Sequence, residues 1–136
     1  RDLRDRVGTS IILISHDLGI IAEMCDEVNV MYAGQMIEQA DVFDLFEHPS
    51  HPYTRGLLAS IPRATGARVA RRMPSIPGMV PNLAKLPPGC RFNPRCDAVM
   101  PVCRRHAPDL LRLGEGHVAR CWLHEAQDAL PKEQAP

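Results

Sequence analysis

The sequence lacks three features, each of which would define a class of protein. Its 136 residues include no run of about eighteen apolar residues, so we predict no membrane-spanning helix. It has no G-x-x-x-x-G-K-[ST] phosphate loop, which excludes a complete P-loop nucleotide site within these residues. It begins with Arg1 rather than Met, and no charged and then apolar leader follows. We therefore expect a piece of a longer polypeptide without a secretory signal.

Acidic residues are absent from residues 48–96, which hold eight basic residues, whereas residues 1–47 hold ten acids and three bases. This asymmetry predicts segments with different surroundings, although the net charge is zero. A basic stretch is also typical of nucleic-acid binding. Its arginines, however, lie among prolines without interleaved aromatic residues, so we favour a solvated or intersegment surface and predict no nucleic-acid partner.

The first part of the chain predicts a strand and a helix. Residues 9–14, "TSIILI", form a largely β-branched apolar run that is typical of a strand buried on both faces of a parallel sheet. Asp17 is a candidate N-cap for the helix that follows, whose apolar face runs from Leu18 to Cys25. We expect Cys25 to pack as a small hydrophobic residue.

Alternation and proline positions then predict a hairpin and two short helices. Apolar residues at 28, 30 and 32 alternate up to an Ala-Gly turn, and a second strand begins at Met36. One helix is predicted from Asp41 to just before Pro49. Another has Pro52 in its first turn and stops at Pro62. Its apolar stripe consists of Tyr53, Leu57 and Ile61.

Proline dominates the next part of the chain, because nine of the thirteen prolines fall between Pro62 and Pro108. This argues against long regular elements, and we expect an extended linker up to Pro88. After Cys121 the sequence predicts one or two helical turns and then a disordered polar tail. Pieces of about sixty residues are marginally stable, so we expect the first half to need upstream strands and the second half a bound metal.

Four of the five cysteines, Cys90, Cys96, Cys103 and Cys121, have the spacing C-x5-C-x6-C-x17-C. Structural zinc sites usually combine two close pairs, and that pattern is absent. Wider intervals suit an iron–sulfur cluster, although they match no common ferredoxin run. Two disulfides are the third alternative, which the odd cysteine count disfavours. The spacing alone leaves zinc and iron–sulfur about equally favoured, and we interpret the histidines at 106, 117 and 124 as surface or packing residues.

Three features occur in an order that resembles one family. The predicted strand, then Ser15-His16-Asp17, a helix and a hairpin with "MYAGQMIE" are similar to the last third of an ABC transporter ATP-binding domain. The stretch "HPYTRGLLASIP" at 51–62, the proline-rich linker and the four cysteines resemble the C-terminal extension of the oligopeptide/dipeptide importer subfamily. The resemblance spans roughly residues 1–123. "SHD" alone is a weak signal, but the three features in this order are highly specific.

This resemblance implies a fold class and a role for His16. The fold class is α/β: the C-terminal part of a P-loop ABC ATPase domain, with strand, helix and hairpin, followed by a proline-rich, cysteine-containing metal lobe. His16 matches the switch histidine that senses the γ-phosphate of ATP, and its place after a strand and its imidazole chemistry suit that role. The alternative from the residues alone is a histidine at a helix start. ATP and Mg²⁺ would be held mostly by residues before Arg1, so we expect hydrolysis from the full-length parent and none from this piece.

The implied parent is a peripheral subunit at the cytoplasmic face of the cell membrane that energises di- or oligopeptide import. Its expected partners are a second ABC ATPase subunit, two membrane permease subunits and, indirectly, an extracytoplasmic peptide-binding protein. The basic segment with Arg68, Arg71 and Arg72 is a candidate contact with the partner ATPase. The implied boundaries are 1–47 for the ATPase part, 48–88 for the helix and linker, 89–124 for the metal lobe and 125–136 for a tail.

The resemblance also favours a [4Fe-4S] cluster over zinc on Cys90, Cys96, Cys103 and Cys121. Gly89 and Pro94 would allow backbone amides to turn toward the sulfurs. The rival function is a stand-alone four-cysteine metal-binding module that contacts nucleic acid or a protein and has no ATPase parent. Four arginines flank the cysteines, either to offset the negative charge of a cluster or as a solvated surface: Arg91, Arg95, Arg104 and Arg105.

Overall fold

The computed structural model describes residues 6, 8–61 and 75–125. Short 3₁₀ turns at Asn93–Arg95, Pro101–Arg104 and Trp122–His124 accompany the longer elements. Within the described residues, no helix has the length and apolar character that membrane crossing requires. The helices are α1 (Leu18–Met24), α2 (Val42–Glu47) and α3 (Pro52–Ala59), and the strands are β1 (Glu27–Tyr32), β2 (Gln35–Asp41), β3 (Leu111–Arg112) and β4 (Val118–Ala119).

The four strands form one antiparallel sheet in the order β1-β2-β4-β3. The predicted hairpin is confirmed as β1 and β2, which pair along their full length with a register shift after Val30. Its turn residues Ala33 and Gly34 have φ values of 47° and 74°. Positive φ at both positions is the geometry of a turn whose twist matches the flanking strands, and glycine adopts it at little steric cost.

The predicted strand at residues 9–14 is wrong for this structure. These residues form no helix or strand, and they have no sheet partner in the described part of the chain. Ile12 and Ile14 are 92% and 94% exposed. A strand of this composition needs neighbouring strands to satisfy its backbone groups and to cover its side chains. The described sheet is antiparallel and lies elsewhere, so the expected parallel sheet is not observed here.

The three predicted helices are confirmed, and their N-caps explain where they begin. The Asp17 carboxylate accepts hydrogen bonds from the first-turn amides of α1 at 2.9 and 3.2 Å. The Asp41 carboxylate accepts one from the Phe43 amide at 2.8 Å. At α3 the cap is His51, whose Nδ1 accepts a hydrogen bond from the Tyr53 amide at 3.0 Å. A side-chain acceptor satisfies amides that have no partner within the helix.

The hydrophobic core joins the hairpin to the cysteine-bearing segment. Phe92 lies in the same core as the hairpin, and β4 pairs with β2 so that Ala119 lies opposite Glu38. Cys25 packs against this core, as predicted for a small hydrophobic residue. The hairpin and the cysteine-bearing segment therefore share both a sheet and a core. The buried members of the core are Val28, Val30, Tyr32, Ile37, Ala40, Val42, Leu45 and Phe92.

The proline-rich segment is described from residue 75 onward, where it forms turns and no helix or strand up to residue 88. Arg95 binds the first described residues of this segment. The guanidinium group of Arg95 donates hydrogen bonds to the carbonyl oxygens of Pro77 at 2.8 Å and Ile76 at 3.1 Å. The predictions for residues 62–74, which include the basic segment with its three arginines, lie outside the described residues. So does the predicted tail beyond Glu125.

Thr54 carries a testable feature of α3. It is 1% exposed, and its hydroxyl has no hydrogen-bond partner among the described residues. A buried hydroxyl without a partner costs about 1–3 kcal/mol. We expect Thr54→Val to raise the free energy of unfolding by about 1 kcal/mol in urea titrations, because valine keeps the shape and removes the polar atom. The exposed Thr9→Val is the control, and a loss of stability in Thr54→Val would contradict the prediction.

Candidate functional site

His16 follows the apolar residues 9–14 and stands just before α1. Its side chain is exposed. The Ser15 hydroxyl oxygen accepts a hydrogen bond from the Asp17 amide at 3.0 Å, which fixes the turn that carries the imidazole. A cleft of about 340 Å³ opens here, lined by residues 16–19 on one side and by Ser60 and Ile61 after α3 on the other. His16 is therefore accessible to a ligand that enters between the start of α1 and the end of α3.

The four predicted cysteine ligands gather in one region. Burial raises the pKa of the Cys90 and Cys96 thiols and raises that of Cys121 to about 11. Neighbouring thiols of the same set, including Cys103, raise these pKa values further. Each of the six possible pairs among these four cysteines shows such an effect of one thiol on the pKa of the other. The four thiols therefore lie within electrostatic range of one another. All five cysteines are free thiols, and the fifth, Cys25, packs against the hydrophobic core, as Cys90 and Cys96 also do.

Backbone amides point at these sulfur atoms. The amide two residues further along the chain donates to the sulfur of three of the cysteines, and each such bond lowers the thiol pKa against the effect of burial. Amide donors around thiolates are the outer contacts that tune metal–sulfur sites. The donors are the amides of Phe92 and Asn93 for Cys90, Ala98 for Cys96 and Leu123 for Cys121, while the Met100 amide lies 3.5 Å from the sulfur of Cys103.

Gly89 allows the two ends of the cysteine segment to meet. Its φ is 70°, and a Cβ atom there would collide with the carbonyl oxygen of Cys103. The Cys90 amide donates a hydrogen bond to that same oxygen at 2.8 Å. Any residue larger than glycine would therefore push Cys90 away from Cys103.

The described residues contain no group of three His, Cys, Asp or Glu side chains placed to hold a single metal ion. The structure therefore does not show a metal site, although it brings the four cysteines into one region. Two of the nearby histidines contact other groups. His117 Nε2 lies 2.9 Å from the Glu38 carboxylate, and His124 Nε2 lies 3.0 Å from the carbonyl oxygen of Ser50.

Two of the flanking arginines have structural contacts that sequence reasoning did not predict. Arg91 Nη1 donates a hydrogen bond to the carbonyl oxygen of Ala33 in the hairpin turn at 2.6 Å. Arg95, besides its bonds to the proline-rich segment, lies 3.3 Å from the hydroxyl of Tyr32. Both side chains therefore tie the cysteine segment to the hairpin, which is a different role from offsetting the charge of a cluster.

Glu38 is the main residue that sequence reasoning missed. It is fully buried, and its carboxylate accepts hydrogen bonds from the amides of Ser50 at 2.6 Å and His51 at 2.9 Å. His117 Nε2 lies 2.9 Å from the same carboxylate. One side chain thus joins the hairpin, the start of α3 and the turn between β3 and β4. The sequence does contain one sign of this role: in a strand, Glu38 shares a face with the apolar residues Met36 and Ala40, where a charged side chain is unusual.

Phe92 is the second missed residue. It is 3% exposed, and its ring centroid lies 5.1 Å from that of Tyr32, 5.4 Å from that of Tyr53 and 5.7 Å from that of His51. The rings of Tyr32 and Tyr53 are 4.7 Å apart. These tilted and edge-on arrangements are the favourable ones for aromatic pairs. A lone phenylalanine among prolines has no periodicity that would have revealed this position.

Comparison with known proteins matches part of this sequence to one family. Residues 37–103 match the family model described as the oligopeptide/dipeptide transporter, C-terminal region. The match covers β2 from Ile37 onward, α2, α3 and the first three of the four cysteines. It does not include His16 or Cys121.

Curated relatives extend the similarity to most of the chain. The chain is 50% identical over 121 residues to a probable peptide ABC transporter ATP-binding protein of Sinorhizobium fredii, with 89% of this chain and 36% of that protein covered. It is 48% identical over 129 residues to the oligopeptide transport ATP-binding protein AppD of Bacillus subtilis, with 95% and 39% covered. It is 43% identical over 122 residues to the oligopeptide transport ATP-binding protein OppD of Haemophilus influenzae, with 90% and 37% covered. The chain thus spans a little over a third of the length of these relatives.

Proposed function

We propose that this chain, whose residues 37–103 match the family model of the oligopeptide/dipeptide transporter C-terminal region, is the C-terminal part of an ATP-binding subunit that energises peptide import. The family match carries the proposal, and relatives named as peptide or oligopeptide ATP-binding proteins support it at 43–50% identity. The rival, a stand-alone four-cysteine binding module, leaves both the match and these relatives unexplained.

His16 acts, in this proposal, at the γ-phosphate of ATP. The imidazole is exposed beside a cleft, and a ring N–H in that position donates a hydrogen bond to a phosphate oxygen or holds an attacking water. The phosphate loop that would bind the rest of the nucleotide does not occur in these 136 residues, so ATP and Mg²⁺ are held mainly by other residues of the subunit. The role of this chain is to present His16 and to hold it through the Ser15 and Asp17 turn.

Replacing His16 tests this role. His16→Ala in the intact subunit is expected to slow ATP turnover by about 100-fold while nucleotide binding changes little, because a single proton-transfer or positioning group is removed. The exposed His48→Ala is the matched control and is expected to keep wild-type turnover. The measurement is steady-state phosphate release together with nucleotide affinity. Turnover in His16→Ala equal to that of His48→Ala contradicts the role.

The subunit works in an assembly in this proposal. Its partners are a second ATPase subunit, two membrane permease subunits and an extracytoplasmic peptide-binding protein, at the cytoplasmic face of the membrane. Relatives named as oligopeptide transport ATP-binding proteins support this assembly by analogy alone. Arg68, Arg71 and Arg72, the proposed contact with the second ATPase, lie outside the described residues.

The four cysteines hold a [4Fe-4S] cluster, with zinc as the alternative occupant. The donor set fits a cluster: four free thiols lie within electrostatic range of one another, and amides donate to their sulfurs. The intervals between the four cysteines are wider than the close pairs of structural zinc sites, which favours a cluster. When bound, such a group crosslinks four points of a segment that has little core of its own.

Metal analysis of cysteine variants tests this site. Anaerobically purified protein is expected to contain iron and acid-labile sulfide, and Cys103→Ser is expected to lose most of both, because a buried ligand is removed. Cys25→Ser is the matched control and is expected to keep the wild-type content, since Cys25 is not among the thiols that affect the pKa values of Cys90, Cys96 and Cys121. If the protein contains stoichiometric zinc and no sulfide, the occupant of the site is zinc and not a cluster. Equal metal content in Cys103→Ser and wild type contradicts the site.

A further inference from the structure

We infer that Phe92 couples the four-cysteine site to the core around α3, so that the occupant of the site controls how firmly α3 is held. This inference rests on the metal site proposed above and adds a consequence to it. The occupant would regulate the stability of a segment that contains no ligand cysteine. That segment is α3 with its cap, in the "HPYTRGLL" stretch.

Phe92 contacts both the four-cysteine site and the core around α3. Its backbone amide donates a hydrogen bond to the Cys90 thiol, so its main chain contacts a proposed ligand. Its ring is buried against Tyr32 of β1, Tyr53 of α3 and the His51 cap. Because the main chain and the ring of one residue make the two contacts, a displacement of the Cys90 loop acts directly on the packing of this ring.

The loop between Cys90 and Cys96 is stiff enough to transmit such a displacement. Asn93 is buried, its amide donates to the carbonyl oxygen of Cys90 at 3.0 Å, and its side chain donates to the carbonyl oxygens of Pro88 at 2.7 Å and Cys90 at 2.8 Å. The Arg95 amide donates to the carbonyl oxygen of Phe92 at 3.0 Å. These hydrogen bonds tie Asn93 to the main chain of Cys90 and Arg95 to that of Phe92, so a displacement of Cys90 is passed along the loop.

Occupancy and core packing are then thermodynamically linked. A group that binds only the native arrangement stabilises every contact that this arrangement requires. Linkage is reciprocal, so loosening the ring cluster from the α3 side weakens binding at the cysteines by the same free energy. The two directions give two independent experiments.

The first experiment measures amide hydrogen exchange in the intact protein, loaded anaerobically with ferrous iron and sulfide or stripped with a chelator. In the wild type we expect α3 amides to exchange at least about tenfold faster after stripping, because local opening becomes easier. In Phe92→Leu that holds the same iron, the ratio is expected to fall below about threefold. Phe43→Leu, at a residue that is 74% exposed on α2, is the matched control and keeps the wild-type ratio.

The second experiment uses the α3 side, so the cysteine loop keeps its own sequence. Tyr53→Leu is expected to release iron to a chelator at least about threefold faster than wild type, whereas Phe43→Leu releases it at the wild-type rate. Wild-type protein with bound iron but unchanged α3 exchange overturns the inference and leaves the metal site standing. Equal iron release from Tyr53→Leu and wild type also overturns it. A wild type that binds neither iron with sulfide nor zinc removes the metal site itself and the inference with it.

Discussion

Replacing Glu38 with alanine is expected to lower the free energy of unfolding by about 3–5 kcal/mol, the loss typical of removing one partner from a buried charged network. The carboxylate is fully buried and accepts the backbone amides of Ser50 and His51. Alanine leaves both amides without an acceptor and leaves His117 without its partner. Because the hairpin, α3 and the β3–β4 turn all meet at this side chain, we expect α3 and β4 to loosen together.

Denaturant unfolding of three variants separates this network from a general effect of losing a glutamate. Glu38→Gln keeps one oxygen for one amide and is expected to lose about half as much stability as alanine. Glu27→Ala, at an exposed position of β1, is expected to stay within about 0.5 kcal/mol of wild type. If Glu38→Ala and Glu27→Ala unfold at the same denaturant concentration, the carboxylate does not hold the network together.

The elements that sequence reasoning predicted correctly depend on local signals. The alternation at 28, 30 and 32, the Ala33-Gly34 turn, the Asp17 cap and the helix start at Asp41 each depend on a few neighbouring residues, and each is present in the structure. The spacing of the four cysteines predicted a shared zinc or iron–sulfur site, and the family resemblance favoured a cluster as its occupant. Its occupant stays a proposal.

The elements that were mispredicted or missed depend on distant partners. Residues 9–14 have the composition of a buried strand, but composition does not supply the neighbouring strands that make one. β3 and β4 have two residues each, which is too short for a periodic pattern, and they form because β4 pairs with β2 across some eighty residues of sequence. Glu38 and Phe92 likewise make their decisive contacts with residues far away in the chain.

His51 is expected to make the fold sensitive to acid. Its side chain is 1% exposed, and burial lowers its pKa from 6.5 to about 4, with smaller effects from three neighbours. The carboxylate of Glu38 opposes the shift, while His124 and Arg55 add to it. The buried imidazole stays neutral in the folded protein, where its Nδ1 accepts the Tyr53 amide as the cap of α3. Protonation would remove that acceptor.

The sign of the effect follows from the direction of the shift. Above pH 6.5 the histidine is neutral in both states, and its full contribution to stability is present. As the pH falls from 6.5 toward 4, the unfolded chain takes up the proton first and the folded state loses stability. The pKa is 6.5 in the unfolded chain and about 4 in the folded protein. This difference lowers the free energy of unfolding by about 3 kcal/mol once the pH is below both values.

Equilibrium unfolding as a function of pH, with a chelator present throughout, measures this loss. His51→Asn keeps a side-chain oxygen as the cap of α3 but has no proton to gain, so its stability is expected to fall by about 3 kcal/mol less than that of wild type between pH 6.5 and 4. His48→Asn, three residues away and exposed, is expected to keep the wild-type slope. Acid sensitivity that is the same in His51→Asn and wild type would assign the titration to another group. Since His51 packs against Phe92 and its amide binds Glu38, a confirmed slope would place the acid-labile point of the fold where α3, the hairpin and the cysteine segment meet.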